Sequence, residues 1–169
     1  MDKQSADFQV SKQILQSKLF EGLEYAEMTV MILNAKILSV PTGTAVLNEG
    51  EQGDEFYWIK SGRLDVQMNS IANKGKPISL NTLKAGDVFG EMILLGKMRR
   101  NASVVVQNDC ELYSWNFKET LALFEKSPML GFKIMRNLAH MLGDKLTDMN
   151  LQLRGHSEVL DKSIFSFFG

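Results

Sequence analysis

The segment Phe89-Gly90-Glu91-Met92-Ile93-Leu94-Leu95, with Arg100-Asn101-Ala102-Ser103 close behind it, holds the residue types best suited to chemistry in this chain. The Arg100 guanidinium presents a planar fork of N–H donors that matches two oxygens of a phosphate. Gly90 has no Cβ, so backbone and ligand can approach closely there. A short helix opening after Gly90 would turn backbone N–H groups toward the same anion. Glu91 is ill suited to an anion but accepts well from a sugar hydroxyl, and it would also hold the arginine. A ligand offering a phosphate and a ribose hydroxyl side by side is a nucleotide. On spacing alone, the same residues fit equally a surface Glu and a surface Arg flanking a glycine turn.

The rest of the chain offers little reactive chemistry. Its one cysteine, Cys110, excludes an internal disulfide and a Cys-rich metal site, and reads as a small hydrophobe in a core. His140 and His156 stand alone in the helical C-terminal part and read as solvent-facing. No Ser-His-Asp or Cys-His set stands out, so an enzyme is not expected, and the ten methionines read as packing residues rather than a metal site. The formal net charge of −1, from 19 basic and 20 acidic residues, argues against a broad nucleic-acid-binding face. A composition 44% hydrophobic and 23% charged is that of a globular protein. Residues 1–7 are polar, with no signal-peptide core, and no apolar run approaches the ~20 residues of a spanning helix. A cytoplasmic location without a membrane partner is the expectation.

The elements that must position Glu91 and Arg100 read as helix, then strand, then helix. Residues 1–33 form a helical segment: Phe8, Ile14, Leu15, Leu19 and Phe20 recur at helical spacing, as do Met28, Met31, Ile32 and Leu33. The Glu21-Gly22 step separates two short helices. Residues 34–116 carry glycines at 43, 50, 53, 62, 75, 86 and 90 between short apolar or alternating runs, the pattern of a β-sandwich or jelly-roll barrel. Ser61-Gly62 is placed at a hairpin turn, and residues 70–77 in an exposed loop. Residues 117–154 return to helical periodicity. Asn116 caps a first helix with Glu119 in the capping-box position, Ser127-Pro128 breaks it, and a long amphipathic helix follows with the stripe Leu138, Leu142, Leu146, Met149 and Leu153. Gly155 is expected to end or bend that helix, leaving residues 155–169 as an apolar tail.

Phe89-Gly90-Glu91, eight residues, then Arg100-Asn101-Ala102 resembles the phosphate-binding cassette of the cyclic nucleotide-binding domain family, here spanning 89–103. The run from Asn48 to Gly62 is similar to that family's strand–turn–strand signature, and Leu83 to Gly90 to its lead-in; the likeness spans 19–154. The resemblance implies an α+β fold: a β-jelly-roll barrel of about eight strands with N-terminal helices and a long C-terminal helix. It implies that Glu91 accepts from the ribose 2′-hydroxyl and that Arg100 pairs with the cyclic phosphate. Phe89, Gly90, Met92, Ile93, Asn101 and Ala102 complete the pocket, through backbone N–H groups at 92, 93 and 102. The long helix would close over the base, placing Asn150 against its edge, with Met149 and Leu146 as apolar alternatives.

Two positions depart from the family pattern. Ile93 stands where a small residue is usual and would crowd the pocket. Asn101 stands where Ala, Ser or Thr is usual, which leaves the base preference open. The expected ligand is cyclic AMP or cyclic GMP, with no other cofactor and no metal. Nothing basic or helix-turn-helix-like follows the long helix, so no DNA partner is expected. The function implied is a sensor module without its own DNA-binding or catalytic domain, working as a homodimer or through a protein partner on the C-terminal helix. The alternative is a ligand-free interaction scaffold.

Overall fold

The computed structural model describes residues 12–69 and 76–167. Phe8 and Gly75, and the side chains of His156 and the apolar tail, lie outside the described residues. Helix α1 (Lys12–Leu15), a 3-10 turn (Lys18–Phe20) and α2 (Tyr25–Leu33) come first. Six strands follow: β1 (Lys36–Val40), β2 (Ala45–Leu47), β3 (Glu55–Asn69), β4 (Pro77–Lys84), β5 (Val88–Phe89) and β6 (Ser103–Asn116). A second 3-10 turn (Glu91–Leu95) joins β5 to the approach to β6, and α3 (Phe117–Lys126) and α4 (Pro128–Phe167) complete the chain.

The class is α+β, but the sheet differs from the expected eight-stranded barrel. Among the described residues it has six strands in the antiparallel order β1-β6-β3-β4, with β2 beside β6 and β5 beside β3, and it does not close. The count falls because Ser61-Gly62 is not a hairpin turn. β3 runs through it as one strand of 15 residues against the 14 residues of β6, and irregularities around Ser61 and Arg63 take up the bend. A glycine with φ of 98° inside a strand marks a bulge as readily as a turn. The bulge also changes which alternation faces which side: Tyr57 and Ile59 share a cluster with Leu64 and Val66.

The two faces of the sheet bury two cores. Phe56, Trp58, Val88, Tyr113 and Trp115 pack against Leu19, Phe20, Met31, Leu130, Ile134 and Leu138 of the helices. Leu47, Tyr57, Ile59, Leu64, Leu83, Phe89, Val104, Val106, Cys110 and Leu112 fill the curved inner face. Each buried indole N–H has an acceptor: Trp58 donates to Ser17 Oγ (2.9 Å) and Trp115 to the Met31 carbonyl (2.7 Å).

Asn116 caps α3 by accepting from the N–H groups of Lys118 and Glu119, and Pro128 occupies the first position of α4. α4 does not end at Gly155 but continues to Phe167; a helical glycine costs only about 1 kcal/mol relative to alanine. The apolar stripe divides. Leu138 is buried in the chain's own core, whereas Leu146, Met149 and Leu151 are exposed. α4 is tied to the N-terminal helices by Lys133 Nζ to Glu27 (2.6 Å) and by the buried Asn137 amide, which donates to the carbonyls of Leu19 (3.0 Å) and Glu21 (2.8 Å).

Two outcomes follow from these contacts. A Cβ at Gly62 would lie 2.3 Å from Cys110 Sγ and 2.7 Å from the Asp109 carbonyl, so Gly62→Ala should cost about 1–3 kcal/mol in urea unfolding; an unchanged midpoint would mean the bulge yields to a methyl. The Lys133 ammonium, with the Glu24 N–H, holds the Glu27 carboxyl below its ordinary range. A lowered native pKa contributes stability above the unfolded carboxylate value of about 4.3, and that contribution is lost as pH falls through the native value. Glu27→Gln should therefore be less stable than the native chain at pH near ~7, with the gap closing in acid, as urea midpoints at the two pH values would show.

Candidate functional site

β5 delivers the site. Phe89 stacks on Tyr57 of β3, ring centroids 4.9 Å apart, so the end of β5 is anchored on the inner core. The chain then turns sharply at Gly90, with φ of 74°, a conformation glycine adopts without the Cβ penalty. Glu91–Leu95 makes one 3-10 turn, closed by Gly96 at φ of 79°. Ile93 and Leu94 drive this turn into the core between sheet and helices, which leaves Glu91 only 7% exposed at its start.

Arg100 reaches the same place by another route. The loop between β2 and β3 is stitched to the approach to β6: Arg100 N donates to the Glu51 carbonyl (2.8 Å), Gly50 N to the Arg100 carbonyl (2.8 Å) and Gly53 N to the Met98 carbonyl (3.0 Å). The guanidinium, buried with the rest of the residue, lies across Gly53. A Cβ there would be 2.3 Å from Nη2. Nη2 donates to the Glu55 carbonyl (2.7 Å) and Nη1 to the Gly90 carbonyl (3.3 Å). These bonds orient the fork and leave other N–H groups of the guanidinium for an anion.

Arg100 lines a cleft of about 150 Å³ together with Glu51, Asp54, Glu55 and Tyr57. That is room for a phosphate group; sites for whole small-molecule ligands start near ~300 Å³. Each of the three carboxylates accepts from a neutral side chain, so their charge stays in the cleft. Asn48 donates to Glu51 (3.1 Å), Asn116 to Asp54 (2.9 Å), and the Tyr57 hydroxyl to Glu55 (2.9 Å). Burial first, and the bond to Glu55 second, push the Tyr57 hydroxyl well above its ordinary pKa, so it stays a neutral donor.

Glu91 does not hold Arg100. Its Oε1 accepts instead from Lys145 Nζ of α4 at 2.7 Å. Gly90, Glu91 and Arg100 are thus brought together, and Phe89 supports them from below. Met92 is half-buried. The Ile93 side chain is fully buried in the helix-facing core rather than crowding the Arg100 cleft, and its N–H is given to the Gly90 carbonyl (3.4 Å). Asn101 is exposed, Ala102 half-buried, and Ser103 opens β6, where its hydroxyl accepts from Glu49 N (3.0 Å). Asn150 is exposed on α4 beyond Lys145, with no hydrogen bond to the cassette among the described residues. Sequence reasoning missed Lys145, the Glu55 carbonyl and the role of Gly53. Gly53 alone carried a signal, as a glycine beside the charged pair Asp54-Glu55. Lys145 looks like any solvated lysine next to an apolar stripe.

Comparison with known proteins agrees with this architecture. Residues 37–127 match the family model described as cyclic nucleotide-binding domain, and the chain belongs to that family. It is 29% identical over 137 residues to the cyclic AMP receptor protein of Thermus thermophilus, covering 81% of this chain and 61% of that protein. It is 29% identical over 149 residues to glutaminase 1 of Bradyrhizobium diazoefficiens, covering 88% of this chain and 23% of that protein. Among solved structures, the catabolite activator protein of Thermus thermophilus superposes with a TM-score of 0.72 at 30% identity, over 83% of this chain and 63% of that one. The chain therefore spans less than two thirds of the length of these relatives.

The Arg100 clamp makes a stability prediction independent of any ligand. Gly53→Ala should force the guanidinium off the Glu55 and Gly90 carbonyls, at about 1–3 kcal/mol for each carbonyl left without a donor. In the double variant with Arg100→Ala the clash disappears, so Gly53→Ala should then add little. Additive losses in urea unfolding would show that Gly53 does not act through Arg100.

Proposed function

We propose that this chain is a cyclic nucleotide sensor module that binds cyclic AMP or cyclic GMP and has no catalytic role of its own. The observation that carries the reading is the pair of buried groups at the Gly90 turn: a carboxylate at 91 and an arginine at 100 whose fork is oriented but not saturated. In this reading Arg100 takes the cyclic phosphate, assisted by the backbone N–H groups of Met92 and Ala102, and Glu91 accepts from the ribose 2′-hydroxyl. Asn101 and Asn150 are the side chains available to read the base. Ile93, buried in the core, is no obstacle, which removes the main support for a ligand-free scaffold.

The output runs through α4. Its exposed Leu146, Met149 and Leu151 offer an apolar surface to a second copy or to a partner helix. Ligand shifts that surface only if it binds two arrangements of the cassette with different affinity. No helix among the described residues is long and apolar enough to cross a membrane, in keeping with a cytoplasmic sensor.

Isothermal titration with each nucleotide is the test. Saturable binding of cyclic AMP or cyclic GMP is expected, and Arg100→Ala should weaken it by more than about tenfold, since a phosphate loses its charged partner. No heat and no melting shift at millimolar-scale ligand would sink the reading, and unchanged affinity in Arg100→Ala would remove Arg100 from the site.

A further inference from the structure

The cleft that Arg100 lines holds more negative charge than positive. Glu51, Asp54 and Glu55 line it with the guanidinium, so three carboxylates face one cation. Among the described residues none of them pairs with Arg100, whose bonds go to the Glu55 and Gly90 carbonyls. The one ion pair that any of the three makes there is Glu55 with Lys36, at 3.8 Å, and that lysine side chain is 65% exposed. The carboxylate charges are therefore not cancelled inside the cleft.

The hydrogen bonds that these side chains make do not call for charge. Glu51 accepts from the Asn48 amide, Asp54 from the Asn116 amide and Glu55 from the Tyr57 hydroxyl. The carbonyl oxygen of a Gln or Asn would accept the same bonds. Tyr57 shows that the charge is felt within the cleft. After burial, the bond to Glu55 and the charges of Glu55 and Asp54 raise its pKa, and the Arg100 charge opposes them. An anion entering the cleft thus meets attraction at contact with the buried guanidinium and repulsion from three carboxylates around it.

We infer that Glu51, Asp54 and Glu55 act as a charge filter on the phosphate, so that the site admits a singly charged phosphodiester and disfavours a doubly charged phosphomonoester. The inference rests on the cyclic nucleotide reading of Arg100. A cyclic phosphate has one ionised oxygen and no hydroxyl left to titrate. A monoester has a second ionisation near pH ~6 and carries close to two charges above it. Repulsion scales with the charge of the ligand, so each carboxylate acts twice as strongly on the monoester. The contact with Arg100 doubles as well, but it is one cation against three carboxylates. Size does not separate the two ligands, since a cleft of about 150 Å³ has room for a phosphate of either kind.

The test uses the full chain with Glu51→Gln, Glu55→Gln and both together, each keeping the acceptor and removing the charge. Asp54 is left in place, because its partner Asn116 caps α3. Cyclic AMP and cyclic GMP, each beside its 5′-monophosphate, are titrated at pH ~8, where the monoester is doubly charged, at low and high salt. Each substitution should tighten the cyclic nucleotide by about threefold and the monophosphate by about tenfold, so their affinity ratio narrows by about threefold for each charge removed. High salt should narrow the same ratio in the native chain, since exposed Glu51 is screened more than buried Arg100, and should change it little in the double variant. Because Glu51 is exposed, Glu51→Gln reads the charge even where Glu55→Gln fails to fold. Carboxylates that only tie the loops would leave both the ratio and its salt dependence unchanged. With cyclic nucleotide binding intact in the native chain, a ratio that stays fixed in Glu51→Gln, or a native preference for the monophosphate at low salt, overturns this inference alone. Absence of binding of either cyclic nucleotide by the native chain overturns the cyclic nucleotide reading and this inference with it.

Discussion

A buried guanidinium must have acceptors, and in this protein it finds them in the backbone. Arg100 donates to the carbonyl of Glu55, where β3 begins, and to that of Gly90, where β5 ends. Both carbonyls are positioned by the sheet, since β5 pairs with β3 at Tyr57 and Trp58. The arginine in turn needs a path across the loop ahead of β3, and Gly53 leaves it open by lacking a Cβ. The conformation of the loop, the turn at Gly90 and the direction of the fork are thus solutions to one requirement: a cation removed from water must be hydrogen-bonded on its way to any ligand. Carbonyl partners serve this better than a carboxylate would. They orient the guanidinium without neutralising it, and its positive charge stays available.

The carboxylate beside it is treated differently. Glu91 accepts from Lys145, 54 positions further along the chain, so its partner belongs to the helix arrangement rather than to the sheet. One charge of the site is therefore built by strands and the other is completed by α4. The inner-face aromatics, with Tyr57 on Phe89, hold the turn still, while the ion pair at its tip is exposed on the lysine side. A contact of that kind costs little to remake, which suits a two-state element better than a packed interface does.

Much of the fold was legible because it rests on local physics. The cap at Asn116, the break before Pro128, the glycine turn at 90 and the burial of Cys110 depend on residues adjacent in the chain or on a single side chain's polarity. Ser61-Gly62 reads as a turn, and β3 runs through it, for the opposite reason. A glycine in an alternating pattern signals an unusual backbone angle, and whether the strand reverses or bulges there depends on its pairing with β6, whose bulk at Cys110 and Asp109 forbids a Cβ at 62. The same long-range pairing merged segments that read as separate strands. The Ile93 side chain lies in the core rather than the pocket because an apolar residue in such a turn can face either way, and only the position of the helices shows which.

By itself the sequence determined which groups could act: a carboxylate and an arginine flanking a glycine turn, in an order of motifs that marks the family. The tertiary structure decided what each of them touches. Glu91 and Lys145 lie 54 positions apart, and Arg100 and the Glu55 carbonyl 45, so neither pairing leaves a trace in local spacing. Residue types follow from the chain, but the partners of a buried charge are chosen by burial itself, because only the folded protein removes the water that would otherwise satisfy both.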